Sequence, residues 1–113
     1  ATGEDIARQR KLTGHTALRL REPAYNIDFG AWYVAKQIRD FWTGDGQRTV
    51  ELAAAAYNGG PGRLRRHLKD HTALPDETRR YQYWVGGMWS QRWARRSSVY
   101  TQWLNAGGRA LVR

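Results

Sequence analysis

The sequence predicts an all-α fold of about five to seven helices, on three observations. Apolar residues recur at helical rather than alternating spacing along most of the chain. Turn-forming clusters (Thr43-Gly44-Asp45-Gly46, Asn58-Gly59-Gly60-Pro61-Gly62 and Gly107-Gly108) end helical stretches. Hydrophobic residues are 41% and aromatic residues 12% of the 113, which suits one packed core and not a disordered chain.

The elements follow in order. Thr2 with Asp5 three residues later reads as a capping pair that opens a short helix to residue 11. Residues 12–24 hold no stable period and run into Pro23, so a connecting loop is expected. Ile27, Ala31, Val34, Ala35, Ile38, Phe41 and Trp42 then share a face, predicting a helix over residues 26–42. Thr49 is the expected cap of a third helix that ends at Tyr57, where four alanines permit close approach of a neighbouring backbone. Gly60-Pro61 suits the cap and first position of a fourth helix running to His71.

Pro75-Asp76 opens a fifth helix, with Tyr81, Trp84, Val85, Met88 and Trp93 expected on its inner face. Gly86-Gly87 within it predicts a close crossing or a kink. Ser97 or Ser98 caps a sixth helix, ended by Gly107-Gly108. The six tryptophans suit either a core or sugar-stacking walls; for Trp42, Trp84, Trp89, Trp93 and Trp103 helical spacing favours the core.

Charge is unevenly distributed. The formal net charge is +9, yet residues 1–57 contribute only +1 and residues 58–113 contribute +8. Such a basic half fits a polyanionic partner or a solvated face. Arg63, Arg65, Arg66 and Lys69 concentrate it on one helix, where peptide carboxylates or acidic wall polymers are candidate contacts. No groove-reading motif accompanies the charge, so nucleic acid is disfavoured as a partner. The chain has no cysteine, hence no disulfide framework or thiolate metal site. His67 and His71 lie four apart, a spacing able to share a metal, but no third ligand joins them. No metal and no cofactor is expected. No apolar run has the length of a membrane span or a signal sequence.

Three blocks carry a resemblance. Asn26-Ile27-Asp28-Phe29-Gly30 with Trp32-Tyr33, then Ala55-Ala56-Tyr57-Asn58-Gly59-Gly60-Pro61-Gly62, then Glu77-Thr78-Arg79-Arg80-Tyr81 occur in this order. Together they resemble the catalytic domain of the soluble lytic transglycosylases, in the goose-type lysozyme superfamily. The middle block is the most specific, because it sets a helix end, a turn and a helix start at once. The resemblance is strongest over residues 1–85 and fades in the tail.

That resemblance implies a lysozyme-like helical domain that cleaves the β-1,4 bond between N-acetylmuramic acid and N-acetylglucosamine in peptidoglycan. The implied product is a 1,6-anhydro sugar, with one glutamate serving as acid and then base, unlike the paired carboxylates of most glycosidases. In the family this glutamate lies in a Glu-Ser block followed by Gly-Leu-Met-Gln. Both precede the stretch that Ala1-Thr2-Gly3-Glu4-Asp5-Ile6-Ala7 resembles. The expectation is one domain over residues 1–113 without its N-terminal part, and no catalytic acid in this chain. A segment or separate chain would supply it. Glycan strands are the implied partner and the bacterial envelope, periplasmic or secreted, the implied location. A non-catalytic peptidoglycan-binding or scaffold module of the same fold is the alternative.

Four residues are candidates for the substrate site. By resemblance Tyr57 lies near the acid and the scissile bond; otherwise it is a core tyrosine bonded to backbone. Asn58 belongs to the turn, as an architectural residue or as a substrate contact near free helix N–H groups. Glu77 matches a family glutamate lining the sugar site, and equally complements its helix dipole. Tyr81, one turn on, is core with a cleft edge. Among the other carboxylates, Glu4, Asp5 and Asp76 lie in first turns, and Glu51 sits near a helix start, a poor setting for a proton donor.

Overall fold

A computed structural model describes residues 3–112, and the expected cap at Thr2 lies outside them. The described residues form six α-helices and two short 3-10 helices, with no strand among them. The helices are α1 (Gly3–Gln9), α2 (Pro23–Asp40), α3 (Gly46–Gly59), α4 (Pro61–Asp70), α5 (Asp76–Ser90) and α6 (Ser98–Asn105). The 3-10 helices are Ala17–Arg21 and Gly108–Leu111.

α3 is the axis of the fold and packs against α2, α4 and α5. Its alanines explain this. Ala55 and Ala56 are completely buried, and without bulk they let the neighbouring helix backbones come close. One core cluster joins them to Phe41, Leu52, Leu64 and Leu74. A second joins Ile6, Ala7, Phe29 and Tyr33 at the α1–α2 contact.

Several boundaries differ from expectation. The expected loop before α2 contains the 3-10 helix Ala17–Arg21, capped by the Thr16 side chain at Arg19 N, and α2 begins at Pro23 with proline in its first turn. Asp45, not Thr49, caps α3: its carboxylate accepts from Arg48 N at 2.9 Å. Thr49 is instead buried one turn inside, where its Oγ1 accepts from Thr43 N at 3.0 Å. Both residues are good caps by type; the glycine pair around Asp45 decides where the chain turns.

Tryptophan placement also reverses the expectation. None of the six is buried; Trp42 is 65% and Trp93 87% exposed. The small α3 surface leaves no volume for such rings, so they occupy the rim. On α5 the inner positions are Thr78 and Gly86, both buried, whereas Trp84, Val85 and Met88 face an open groove. Gly86 and Gly87 make close crossings in an unbroken helix: an added Cβ would meet Glu51 Cγ or the Val99 methyls at 2.8 Å.

Candidate functional site

α3 ends where the sequence changes character. Gly59 is its last residue, and Gly60 takes φ 95° and ψ 140° before Pro61 starts α4. This backbone reversal carries Tyr57 on the last turn of α3, at the α2–α3–α5 junction. Tyr57 is 41% exposed. Its ring centroid lies 5.7 Å from that of Tyr33 on α2 and 6.2 Å from that of Tyr81 on α5, nearly parallel to the latter. Three helices therefore each contribute one phenol to a single wall. Among the described residues the Tyr57 hydroxyl has no hydrogen-bond partner.

The two flanking phenols are held in their protonated form. Burial pushes the Tyr33 hydroxyl upward from its ordinary value, with Tyr57 and then Asp5 adding to the rise. Burial does the same for Tyr81, with Tyr57 again adding. Both are therefore donors at neutral pH. The Tyr33 Oη is buried and has no hydrogen-bond partner, as is the Oε1 of Gln37 one turn along α2.

Of the four sequence candidates, Tyr57 and Tyr81 come together. Asn58 turns the other way: its Oδ1 accepts from Thr78 Oγ1 at 2.9 Å, tying the end of α3 to α5. Glu77 is exposed in the first turn of α5, one turn before Tyr81, with no ion pair among the described residues. Tyr33 and Thr78, which touch these candidates, and Gln37 beside Tyr33 on α2 were not singled out from the sequence. The available signal was two polar residues at i and i+4 on the otherwise apolar inner face of α2.

An apolar groove of about 110 Å³ runs from this wall between α2, α3 and α5, lined by Val34, Ile38, Val50, Ala53, Ala54 and Val85 with Tyr57 and Tyr81. At Tyr81 and Val85 it continues into a second hollow of about 370 Å³ bordered by Trp84, Met88, Tyr100 and Trp103. Among the described residues, no group of three histidine or acidic side chains is placed to hold a metal ion. None of the described helices is long and apolar enough to cross a membrane.

Residues 1–79 match the family described as Transglycosylase SLT domain. The chain belongs to that family. No curated protein and no solved structure matches it. Transglycosylase SLT domains are lysozyme-like helical domains that act on peptidoglycan in the bacterial cell envelope, and the all-helical fold agrees with that membership. The matched stretch of the SLT domain covers the tyrosine wall except Tyr81, and ends within α5.

The unpartnered Tyr33 hydroxyl has a measurable consequence. Tyr33→Phe removes no hydrogen bond and relieves a buried polar atom, so stability at pH 7 should change by no more than about 0.5 kcal/mol or rise. The raised phenol favours folding below the unfolded value of 10.0, an advantage lost as pH climbs through the folded value. Urea titrations above pH 10 should therefore show a shallower alkaline loss in the variant than in the parent. A large loss at pH 7 would reveal a bond the structure does not contain.

Proposed function

We propose that this chain forms the greater part of a peptidoglycan lytic transglycosylase domain, with the catalytic acid on a segment outside these residues. The reaction cleaves the MurNAc–GlcNAc β-1,4 bond. The acid gives its proton to the leaving glycosidic oxygen as the C1–O bond breaks. The muramyl C6 hydroxyl then forms the new bond to C1 and returns its proton to the same carboxylate, leaving a 1,6-anhydro ring.

The observation that carries this reading is the tyrosine wall at the end of an apolar groove. An apolar trough between helices is suited to one amphipathic helix. A carboxyl brought beside Tyr57 on such a helix would enter an apolar setting with phenol donors, which favours holding its proton. Tyr57 then orients the acid or the sugar. Glu77 accepts from an acetamide N–H or a hydroxyl of the substrate, and Tyr81 forms the cleft edge beside it. Asn58 holds the turn through Thr78, with its side-chain amide N–H groups available to substrate. Glycan strands in the periplasm or outside the cell are the substrate.

A second reading has its own support. Every carboxylate of the chain is exposed, ion-paired or bonded to a helix start, so these residues alone suit a glycan-binding module. The two readings separate once an acid-bearing segment is joined: release of anhydro products supports the first, and glycan binding without release supports the second. In a form joined to an acid-bearing segment, Tyr57→Phe should leave the melting temperature nearly unchanged and lower turnover by roughly 10²-fold, the loss typical of one positioned proton-transfer or orienting group. Chromatography of muropeptides released from sacculi gives the rate. Full turnover with a lowered melting temperature would assign the hydroxyl to packing.

A further inference from the structure

The turn between α5 and α6 lies beyond residues 1–79, the stretch that matches the SLT domain. From Thr78 onward the sequence holds seven arginines and no acidic residue. Three of those arginines, Arg92, Arg95 and Arg96, stand in this one turn with Trp93, just after Trp89 in the last turn of α5. All five residues are exposed, and Trp93 is 87% so. None of the three arginines pairs with a carboxylate among the described residues.

The turn is braced from inside. The Gln91 Oε1 accepts from Ser97 Oγ and from Val99 N, and its Nε2 donates to Ser98 Oγ at 2.8 Å. Val99 is buried against Gly87 of α5. On the outer side the Arg92 guanidinium lies 4.0 Å from the Trp89 ring centroid and 5.6 Å from that of Trp93. One of its nitrogens donates to Trp89 O at 2.8 Å, which leaves further N–H groups for an anion. Cation and indoles are thus held as one surface.

Indole and guanidinium together match the boundary of an anionic bilayer, where the ring sits among headgroups and the cation meets lipid phosphate. A soluble acidic polymer would satisfy the arginines and leave the indoles in water. Nucleic acid offers both phosphates and stacking faces. The envelope in which SLT domains act offers anionic lipid instead. We propose that the α5–α6 turn docks this chain peripherally on an anionic phospholipid surface. Trp93 enters the headgroup region, and Arg92, Arg95 and Arg96 meet lipid phosphates. The patch begins about two helical turns beyond Tyr81 along α5, so a bilayer seated on it need not cover the tyrosine wall.

The test is cosedimentation of the 113-residue chain with vesicles of phosphatidylcholine, alone or mixed with phosphatidylglycerol. The mixed vesicles should bind more than about tenfold tighter, since each cation near an anionic surface contributes about fivefold. Trp93→Ser should weaken that binding about tenfold, and Arg95→Gln with Arg96→Gln about 25-fold. Both variants should melt with the parent, because the replaced side chains are exposed. Arg63→Gln with Arg66→Gln removes the same charge from α4 and should cost less than about threefold. Equal losses from the two arginine pairs would reduce the effect to net charge and overturn the assignment. So would unchanged binding in Trp93→Ser. Trp93-dependent binding to a single-stranded oligonucleotide or to poly-L-glutamate, tighter than to the mixed vesicles, overturns it as well. Failure to bind the mixed vesicles overturns it too, and leaves the cleavage reading standing.

Discussion

Replacing Gly59 with valine should destabilise the fold by about 2–4 kcal/mol and lower its melting temperature by roughly 10 °C. The reason is contact, not backbone conformation. Gly59 is helical, but a Cβ built on it would sit 2.8 Å from Thr78 Oγ1 and 2.9 Å from its Cγ2. Thr78 is 2% exposed and cannot swing into water. Displacing it also breaks the Thr78–Asn58 hydrogen bond that ties α3 to α5. Thr78→Ala should recover part of the loss in the double variant, because it removes the atoms struck.

Gly60→Val should be costly for a different reason. Its φ of 95° with ψ of 140° is a region that side chains rarely enter, worth about 1–3 kcal/mol, while nothing lies within 4 Å of the added Cβ. Gly30→Ala is the control: no neighbour lies within 4 Å and its helix is regular, so stability should hold or rise by up to about 1 kcal/mol. Thermal melts of the three variants decide. If Gly59→Val melts with the parent, the close α3–α5 approach is not what holds the junction.

The same two glycines show what the sequence made legible. The turn at Asn58–Gly62 was readable because glycine, proline and a helix start occurred in one block, and Gly60 has the positive φ that block implies. That Gly59 is needed for contact was not readable, because Thr78 is far away in sequence. The helices themselves were legible from apolar spacing, but spacing marks a face without saying what covers it. The stripe of Tyr81, Trp84, Val85 and Met88 has core periodicity and lines an open groove. Likewise Tyr57 and Tyr81 were singled out through family blocks, and the structure brings their rings together, whereas Tyr33 and Gln37 became visible only through their unpartnered atoms. A missing hydrogen bond is a property of three dimensions.

The isolated chain should release no anhydromuramyl product from purified sacculi, and the reason can be followed acid by acid. A proton donor at neutral pH needs a carboxyl in an apolar setting without a cation beside it. Asp5, Asp28, Asp40 and Asp76 each pair with a basic side chain. Asp45 accepts from a helix N–H, an interaction made by the ionised form. Glu51 accepts from Gln47 at 3.1 Å and lies 3.6 Å from the Arg48 guanidinium. Glu22, Asp70 and Glu77 are exposed, and Glu4 is exposed beside His15. No one of these ten reaches the groove at Tyr57. Joining a helix that carries a glutamate into that groove should switch cleavage on, and Glu→Gln in the added helix should return it to background. Glu51→Gln and Glu77→Gln test the premise in the joined form: the first should keep the rate, and the second should raise KM more than it lowers kcat, as expected of a substrate contact. Anhydro products from the chain alone would place the proton donor within it, and loss of those products in Glu51→Gln or Glu77→Gln would identify which one.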